Sequence, residues 1–258
     1  MKEKATKEQG FSRRNKCNYY FAGIPTKNYL LMLVDFEIWI KRKAQQYFEG
    51  FYSARDIARL KKKDFVIISR NCWGGQIYQW LKLPYNTPFV GLFIYTPCYI
   101  KILKNFDYYM NIELKFIEES RYSKYPTNYP IGVLDDVEIH FKHYADKDEA
   151  WDKWSRRKER MFENKDIDNY YFSICSWRGL SNEHLNEFYA LPFKHKLSFG
   201  RNDFLEGKEE RHIKLYTDKN ATTTTVPNGK KLFKLTFLYL DVVAWLNTGK
   251  IYRTRFKD

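Results

Sequence analysis

Apolar positions along this chain follow two rhythms. "DFVIISR" (Asp64 to Arg70) is a short continuous run of apolar, mostly β-branched residues, the pattern of a strand buried on both faces. "TPFVGLFIY", "YYFSICSW", "HKLSFG" and "RHIKLYT" read as further strands, "ELKFIEES" and "YPIGVL" are strand-like, and "DVEIHF" alternates strictly between polar and apolar. Between them the period changes to that of a helix. From Asn28 to about Phe48, Leu30, Leu31, Val34, Ile38 and Ile40 gather near one side, and Lys41, Arg42 and Lys43 follow. "SARDIARLKKK" begins at a Ser53 cap, and "GQIYQWLKL" has helical spacing. "TPCYIKILKNFDYYM" places Pro97 in a first helical turn, where a missing N–H costs little. Asp146 to Phe162 has acids early and bases late, as the helix dipole favours. "SNEHLNEFYAL" is a capped helix, and "KLTFLYLDVVAWLN" reads as one helix closed by Gly249.

Strands alternating with helices predict an α/β fold, a three-layer α/β/α domain with a mostly parallel or mixed sheet. Residues 1–62 read as a basic, largely helical N-terminal extension with a mobile start over 1–27, and residues 63–258 as a single α/β domain. No internal repeat is visible.

Composition sharpens the picture in three places. The net charge of +14, from 45 basic and 31 acidic residues, suits nucleic acid, anionic lipid or a phosphorylated small molecule, and equally an ordinary solvated surface. Aromatic residues make up 19% of the chain, and their flat faces serve a core as well as sugar rings and bases. Cys17, Cys72, Cys98 and Cys175 lie far apart without zinc-like spacing, which favours reduced thiols and a cytoplasmic location. Met1 to Asn18 is charged and polar throughout, unlike a secretory leader. The longest apolar run, Asn28 to Ile40, contains Asp35 and Glu37 and is too short to span a bilayer. That segment is either a helix packed on the domain or one resting peripherally on an anionic membrane, where its acids would be repelled.

Three stretches could carry chemistry. In "NCWGG", Asn71, Cys72, Trp73, Gly74 and Gly75 link a buried strand to a helix start, where free N–H groups and small residues admit a diphosphate. The same glycines would also serve a tight turn, and Cys72 is either a nucleophile at a helix N-terminus or a small buried filler. In "DDVEIHFKHY", three carboxylates and two histidines fall within ten residues. Strand geometry sets Asp136, Glu138 and His140 on one face and Val137, Ile139 and Phe141 on the other. Asp136 and Glu138 could share one divalent cation, Mn²⁺ or Mg²⁺, or Glu138 could act as a base beside His140. The alternative is a charged solvent-facing edge strand. His143 falls on the opposite face. In "AWDKWSRRKERMF", Trp151 and Trp154 point to the core, while Arg156, Arg157 and Arg160 form a basic side able to hold a phosphate or simply to be solvated.

The segments "ISRNCWGGQIYQWLKLPYNTPFVGLFIYTPCYIKIL" and "YPIGVLDDVEIHFKHYADKDEAWDKWSRRKERM" closely resemble a bacterial family, domain of unknown function 1919. The resemblance runs from about Asp64 to Phe204, with a weaker tail through "VVAWLN". Members are often labelled exopolysaccharide biosynthesis proteins. The resemblance implies a layered α/β fold and a role in building a surface glycan. It draws attention to Asn71 to Gly75, Pro84, Tyr85, Asn86, Asp136, Glu138, His140 and His143. One departure is "SWRG", Ser176 to Gly179, where the family pattern carries an acidic segment.

The expectation that follows is a glycosyltransferase-like enzyme using a nucleotide sugar and a glycan or lipid-linked acceptor. Its diphosphate would lie at Asn71–Gly75, and Trp73, Tyr78 and Tyr85 would stack on sugar. The alternatives are an acyltransferase or hydrolase using Cys72 or His140, and a non-catalytic glycan- or nucleic-acid-binding protein.

Overall fold

A computed structural model describes residues 26–200, 209–215 and 226–254, with backbone only for 26–35 and 209. Most of the expected loose start therefore lies outside the described residues. The chain forms two compact units, Met1–Ile40 and Lys41–Asp258. The long helix α1 (Thr26–Tyr47) begins in the first and ends in the second.

The second unit is an α/β domain built on four parallel strands in the order β1-β5-β6-β7. They are β1 (Val66–Ser69), β5 (Tyr170–Cys175), β6 (His195–Gly200) and β7 (His212–Lys214). The register sets Val66 against Tyr170, Ile67 against Tyr171 and Ile68 against Phe172. Alternation then sends Val66, Ile68, Tyr170 and Phe172 into one hydrophobic layer. That layer is completed by Tyr99 and Ile102 of α4 (Thr96–Lys104), Trp154 and Met161 of α6 (Lys147–Glu163), and Leu185 and Phe188 of α7 (Asn182–Ala190). On the other face Tyr171 meets Trp245 of α9 (Val242–Thr248) edge-on at 4.9 Å, and Phe199 meets Trp73 of α3 (Trp73–Trp80) at 5.0 Å. The Trp73 Nε1–H donates to Thr236 of α8 (Gly229–Thr236) at 2.9 Å, so α8 covers α3. This is the three-layer α/β arrangement that the sequence implies, with helices on both sides of a parallel sheet.

A second, antiparallel sheet has the order β2-β3-β4: β2 (Lys115–Ile117), β3 (Ile131–Leu134) and β4 (Val137–His140). One extended stretch joins the sheets. Ile94 N donates to the Arg70 carbonyl (2.9 Å), while Phe93 and His140 exchange both backbone bonds at 2.9 Å. "TPFVGLFIY" therefore supplies one bridge residue rather than a strand, because Gly91 turns the chain with φ +73° just before it.

Other boundaries differ for local reasons. The helix α2 (Glu49–Arg59) starts before Ser53, whose hydroxyl bonds the Trp80 carbonyl (2.6 Å) instead of capping. "TPCYIKILKNFDYYM" breaks at Asn105 into α4 and α5 (Phe106–Asn111). The expected last helix is two, because the Asp241 side chain accepts from Ala244 N (3.0 Å) and starts α9 afresh. Trp151 is exposed, and Trp154 alone of that pair enters the core.

Candidate functional site

The site grows from a tight hairpin. Asp135 and Asp136 form the two-residue turn between β3 and β4, with Asp135 at φ 54°, a left-handed position that Asp tolerates. Asp136 is thus a turn residue rather than a strand residue. Beyond it, Glu138 and His140 lie two apart in β4 and share one face, as the alternation predicts. That face is not wet: both side chains are wholly buried.

A buried carboxylate needs partners. Glu138 accepts from Ser120 Oγ (2.7 Å), Arg121 N (3.0 Å) and Arg121 Nε (2.8 Å). Burial alone would raise its pKa, but the Arg121 bonds, side chain and backbone, together with the Ser120 bond outweigh it and hold the carboxyl below its usual range. Arg121 also donates through Nη2 to the Asp136 carbonyl (2.5 Å), fastening the loop to the hairpin.

His140 is the unusual member. Its Nε2 stands 3.5 Å from Glu138 Oε2, and neither ring nitrogen finds a well-formed hydrogen bond among the described residues. Burial pulls its pKa down to about 4, against the opposing pull of Glu138, so the imidazole is neutral near pH 7. The ring stacks on Phe93 at 4.5 Å and meets the edges of Tyr95 and Tyr129 at 5.2 and 5.9 Å. With the Nε2–H turned toward Glu138, Nδ1 is left as an unoccupied basic nitrogen.

Over Phe93 lies the turn after β5. Arg178 and Gly179 take successive left-handed conformations, φ 55° and 82°. The Arg178 guanidinium sits 4.5 Å above the Phe93 ring and donates to Tyr95 Oη (2.9 Å), and Trp177 meets Phe93 at 5.4 Å. The turn is held from below by Arg70, a wholly buried cation at the end of β1. Arg70 donates to the carbonyls of Ile94 (3.1 Å), Cys175 (3.2 Å) and Arg178 (3.4 Å) and to Thr96 Oγ1. Burial lowers its pKa, yet a guanidinium stays charged. The cluster reaches solvent at Tyr122, which stacks on Tyr95 at 4.5 Å, and at Arg178.

Of the residues singled out from sequence, the structure brings Glu138 and His140 together. Asp136 is held at the hairpin tip by Lys101 and by Tyr109 Oη (2.8 Å). Asn71 orders the chain before α3, accepting from Trp73 N (3.0 Å) and donating to Cys175 Sγ (3.2 Å). Gly74 and Gly75 serve packing. A Cβ on Gly74 would lie 2.9 Å from Ile67 Cγ2, and one on Gly75 3.0 Å from Val90 Cγ1. The amide end of α3 faces α8 closely: a Cβ on Gly229 would stand 2.6 Å from Trp73 N and 2.7 Å from Cys72 N. Cys72 is mostly buried there, and burial pushes its thiol pKa up, opposite to an activated nucleophile. Tyr85 lies under Arg157 (4.8 Å to the ring), and Arg157 donates to Tyr144 Oη (2.7 Å). Asn86 donates to the Phe65 carbonyl (2.8 Å), and His143 is exposed beyond β4.

Both acids of the D-x-E pair are already engaged by the protein's own cations, Lys101 and Arg121. Among the described residues no group of three or more His, Cys, Asp or Glu side chains could hold a metal ion. The pair does not fit a bound Mn²⁺ or Mg²⁺. Sequence reasoning missed Ser120, Arg121, Phe93, Tyr95, Tyr129 and Arg178. Only Arg178 had left a signal, as part of the departure at "SWRG".

Fold and site together define an α/β protein whose parallel sheet meets an antiparallel hairpin at a buried carboxylate–imidazole pair. The chain belongs to the family "Domain of unknown function (DUF1919)", whose model matches residues 43–247. It is also similar to an uncharacterized protein of Haemophilus influenzae, 31% identical over 204 residues, a match covering 77% of this chain and 92% of that protein. Neither description names an activity. Among the described residues no helix is long and apolar enough to cross a membrane.

Proposed function

We propose that this chain is a glycosyltransferase-like enzyme of surface-polysaccharide assembly, with the acceptor sugar bound at the His140 cluster. The observation that carries the reading is a neutral, buried imidazole whose nitrogens find no well-formed hydrogen bond among the described residues, set beside a fixed carboxylate and walled by aromatic rings. A core histidine without a catalytic or binding task would be expected to satisfy at least one nitrogen. In this reading a sugar face stacks on Tyr95, Tyr122 or Trp177. His140 Nδ1 takes the proton of the acceptor hydroxyl as its oxygen attacks the anomeric carbon, and the nucleoside diphosphate leaves. Glu138 steadies the imidazolium so formed, and Arg178 at the rim faces the departing diphosphate.

The test is a thermal-shift screen against nucleotide sugars and free nucleoside diphosphates, with and without Mn²⁺ or Mg²⁺, followed by turnover assays with any donor that binds. A donor-dependent shift should persist in His140→Gln while turnover falls by at least about a hundredfold, the usual scale of a lost general base. No shift with any donor, or turnover unaffected by His140→Gln, would overturn the reading.

A further inference from the structure

We propose that the elbow between α1 and α2 docks on an anionic lipid bilayer. The inner side of α2 is committed to the domain. Ser53 Oγ donates to the Trp80 carbonyl (2.6 Å), Trp80 Nε1–H donates to Asp56 (2.9 Å), and Arg59 pairs with Asp241. The outer side carries three rings within five residues. Tyr47, Phe48 and Phe51 are 84%, 54% and 69% exposed. Tyr47 and Phe48 meet edge-on at 5.0 Å where α1 gives way to α2, and Phe51 follows in the first turn of α2. Single exposed rings are ordinary, but a contiguous group marks an interaction surface.

Charge selects the occupant. From Lys41 to Lys63 the chain has eight cationic and two acidic side chains, so 23 residues hold six of its net +14 charges. One of the two acids, Asp56, is already paired with Arg55 and Arg59. Lys41, Arg42 and Lys43 lie just before the rings, and Lys61, Lys62 and Lys63 follow α2. Aromatic side chains that enter the headgroup layer, flanked by lysine and arginine, are what an anionic bilayer rewards. A second copy of this chain would bring the same positive charge to the same patch and be repelled.

Co-sedimentation of the full chain with vesicles tests this, using phosphatidylcholine alone and equal parts phosphatidylcholine and phosphatidylglycerol. The chain should pellet with the anionic vesicles only, and less as salt rises. The double variant Phe48→Ser with Phe51→Ser, and separately Lys41→Glu with Arg42→Glu and Lys43→Glu, should each weaken binding about tenfold or more. Both variants alter exposed side chains and should melt with the wild type, which a thermal scan verifies. Four outcomes would overturn the proposal. They are no binding to anionic vesicles, equal binding to neutral ones, binding unchanged in both variants, and concentration-dependent self-association that the Phe48/Phe51 variant abolishes.

Discussion

Replacing His140 by Phe separates a residue kept for function from one kept for the fold. The phenyl ring retains the 4.5 Å stack on Phe93 and the edge contacts with Tyr95 and Tyr129, and removes two nitrogens that find no well-formed hydrogen bond among the described residues. A buried polar group without a partner costs about 1–3 kcal/mol, and the variant recovers that. Against it stands the slightly larger ring, which in a tight core costs about 1 kcal/mol or a little more. Loss of the weak 3.5 Å approach to Glu138 adds little, because Glu138 keeps its three bonds to Ser120 and Arg121. The net expectation is a gain of about 0–2 kcal/mol, equivalent to a melting temperature raised by about 0–8 °C in a domain of this size. Thermal and urea unfolding of wild type, His140→Phe and His140→Ala read it directly. The alanine variant opens a cavity among three rings and should lose about 3 kcal/mol or more, which shows that the assay sees this position. If His140→Phe instead melts more than about 5 °C below wild type, its nitrogens are satisfied in solution and the imidazole belongs to the structure. The catalytic argument built on it would then fall.

Acid should weaken the fold before its carboxylates titrate. His140 and His212 are both held down to about 4 by burial, whereas unfolded histidine protonates near 6.5. Between those values the unfolded chain binds the extra protons, so stability falls as pH drops from about 6.5 to about 4, by at most on the order of 3 kcal/mol per group. Urea midpoints at pH 7 and pH 5 should differ accordingly, and His140→Phe should shrink the difference; a midpoint independent of pH would contradict the burial. Glu138→Gln removes the negative charge facing Arg121 and replaces one accepting oxygen by an NH2 group, and should cost about 2–4 kcal/mol, while Arg121→Ala, whose side chain is 58% exposed, should cost about 1 kcal/mol. Equal losses in denaturant titrations would show that the guanidinium, not the backbone amide and Ser120, holds the carboxylate. Gly229→Ala should lose more than about 2 kcal/mol, since its Cβ would meet backbone nitrogen at 2.6 Å and backbone cannot swing away. A melting temperature within about 2 °C of wild type would show that α8 does not approach α3 so closely.

Elements whose partners lie on regular lattices were legible in the sequence. The runs "DFVIISR", "YYFSICSW" and "HKLSFG" announce parallel strands because both of their faces are buried. Ser181 announces α7 because its cap is local, its hydroxyl accepting from His184 N (3.3 Å). "TPFVGLFIY" misled because apolarity reports burial and not pairing. Its residues fill the seam between two sheets, and only Phe93 finds a ladder partner. "KLTFLYLDVVAWLN" misled because a period of 3.6 continues across Asp241, while α8 already stops at Thr236 and the aspartate caps a new helix.

The site was half legible, and the missing half has a single cause. Alternation alone put Glu138 and His140 on one face, because that relation is carried by positions two apart in one strand. Whether the face was wet depended on residues far away in the chain. Ser120 and Arg121 come from the loop after β2, Phe93 and Tyr95 from the seam, and Arg178 from the turn after β5. None stands at a fixed offset from "VEIH", so no window on the sequence could collect them. Charge was misleading for the same reason. Asp136 and Glu138 look like a matched pair of ligands, yet the hairpin turn leaves one exposed against Lys101 and buries the other against Arg121. Arg70 shows the reverse. A cation buried without a carboxylate among its bonded partners is costly, but its guanidinium reaches three carbonyls and a hydroxyl across β1, α4 and the turn after β5. It thereby fixes the left-handed turn that lays Arg178 over Phe93. The turn "SWRG" sets Arg178 at the rim, and the His140 cluster of this chain faces solvent through positive charge.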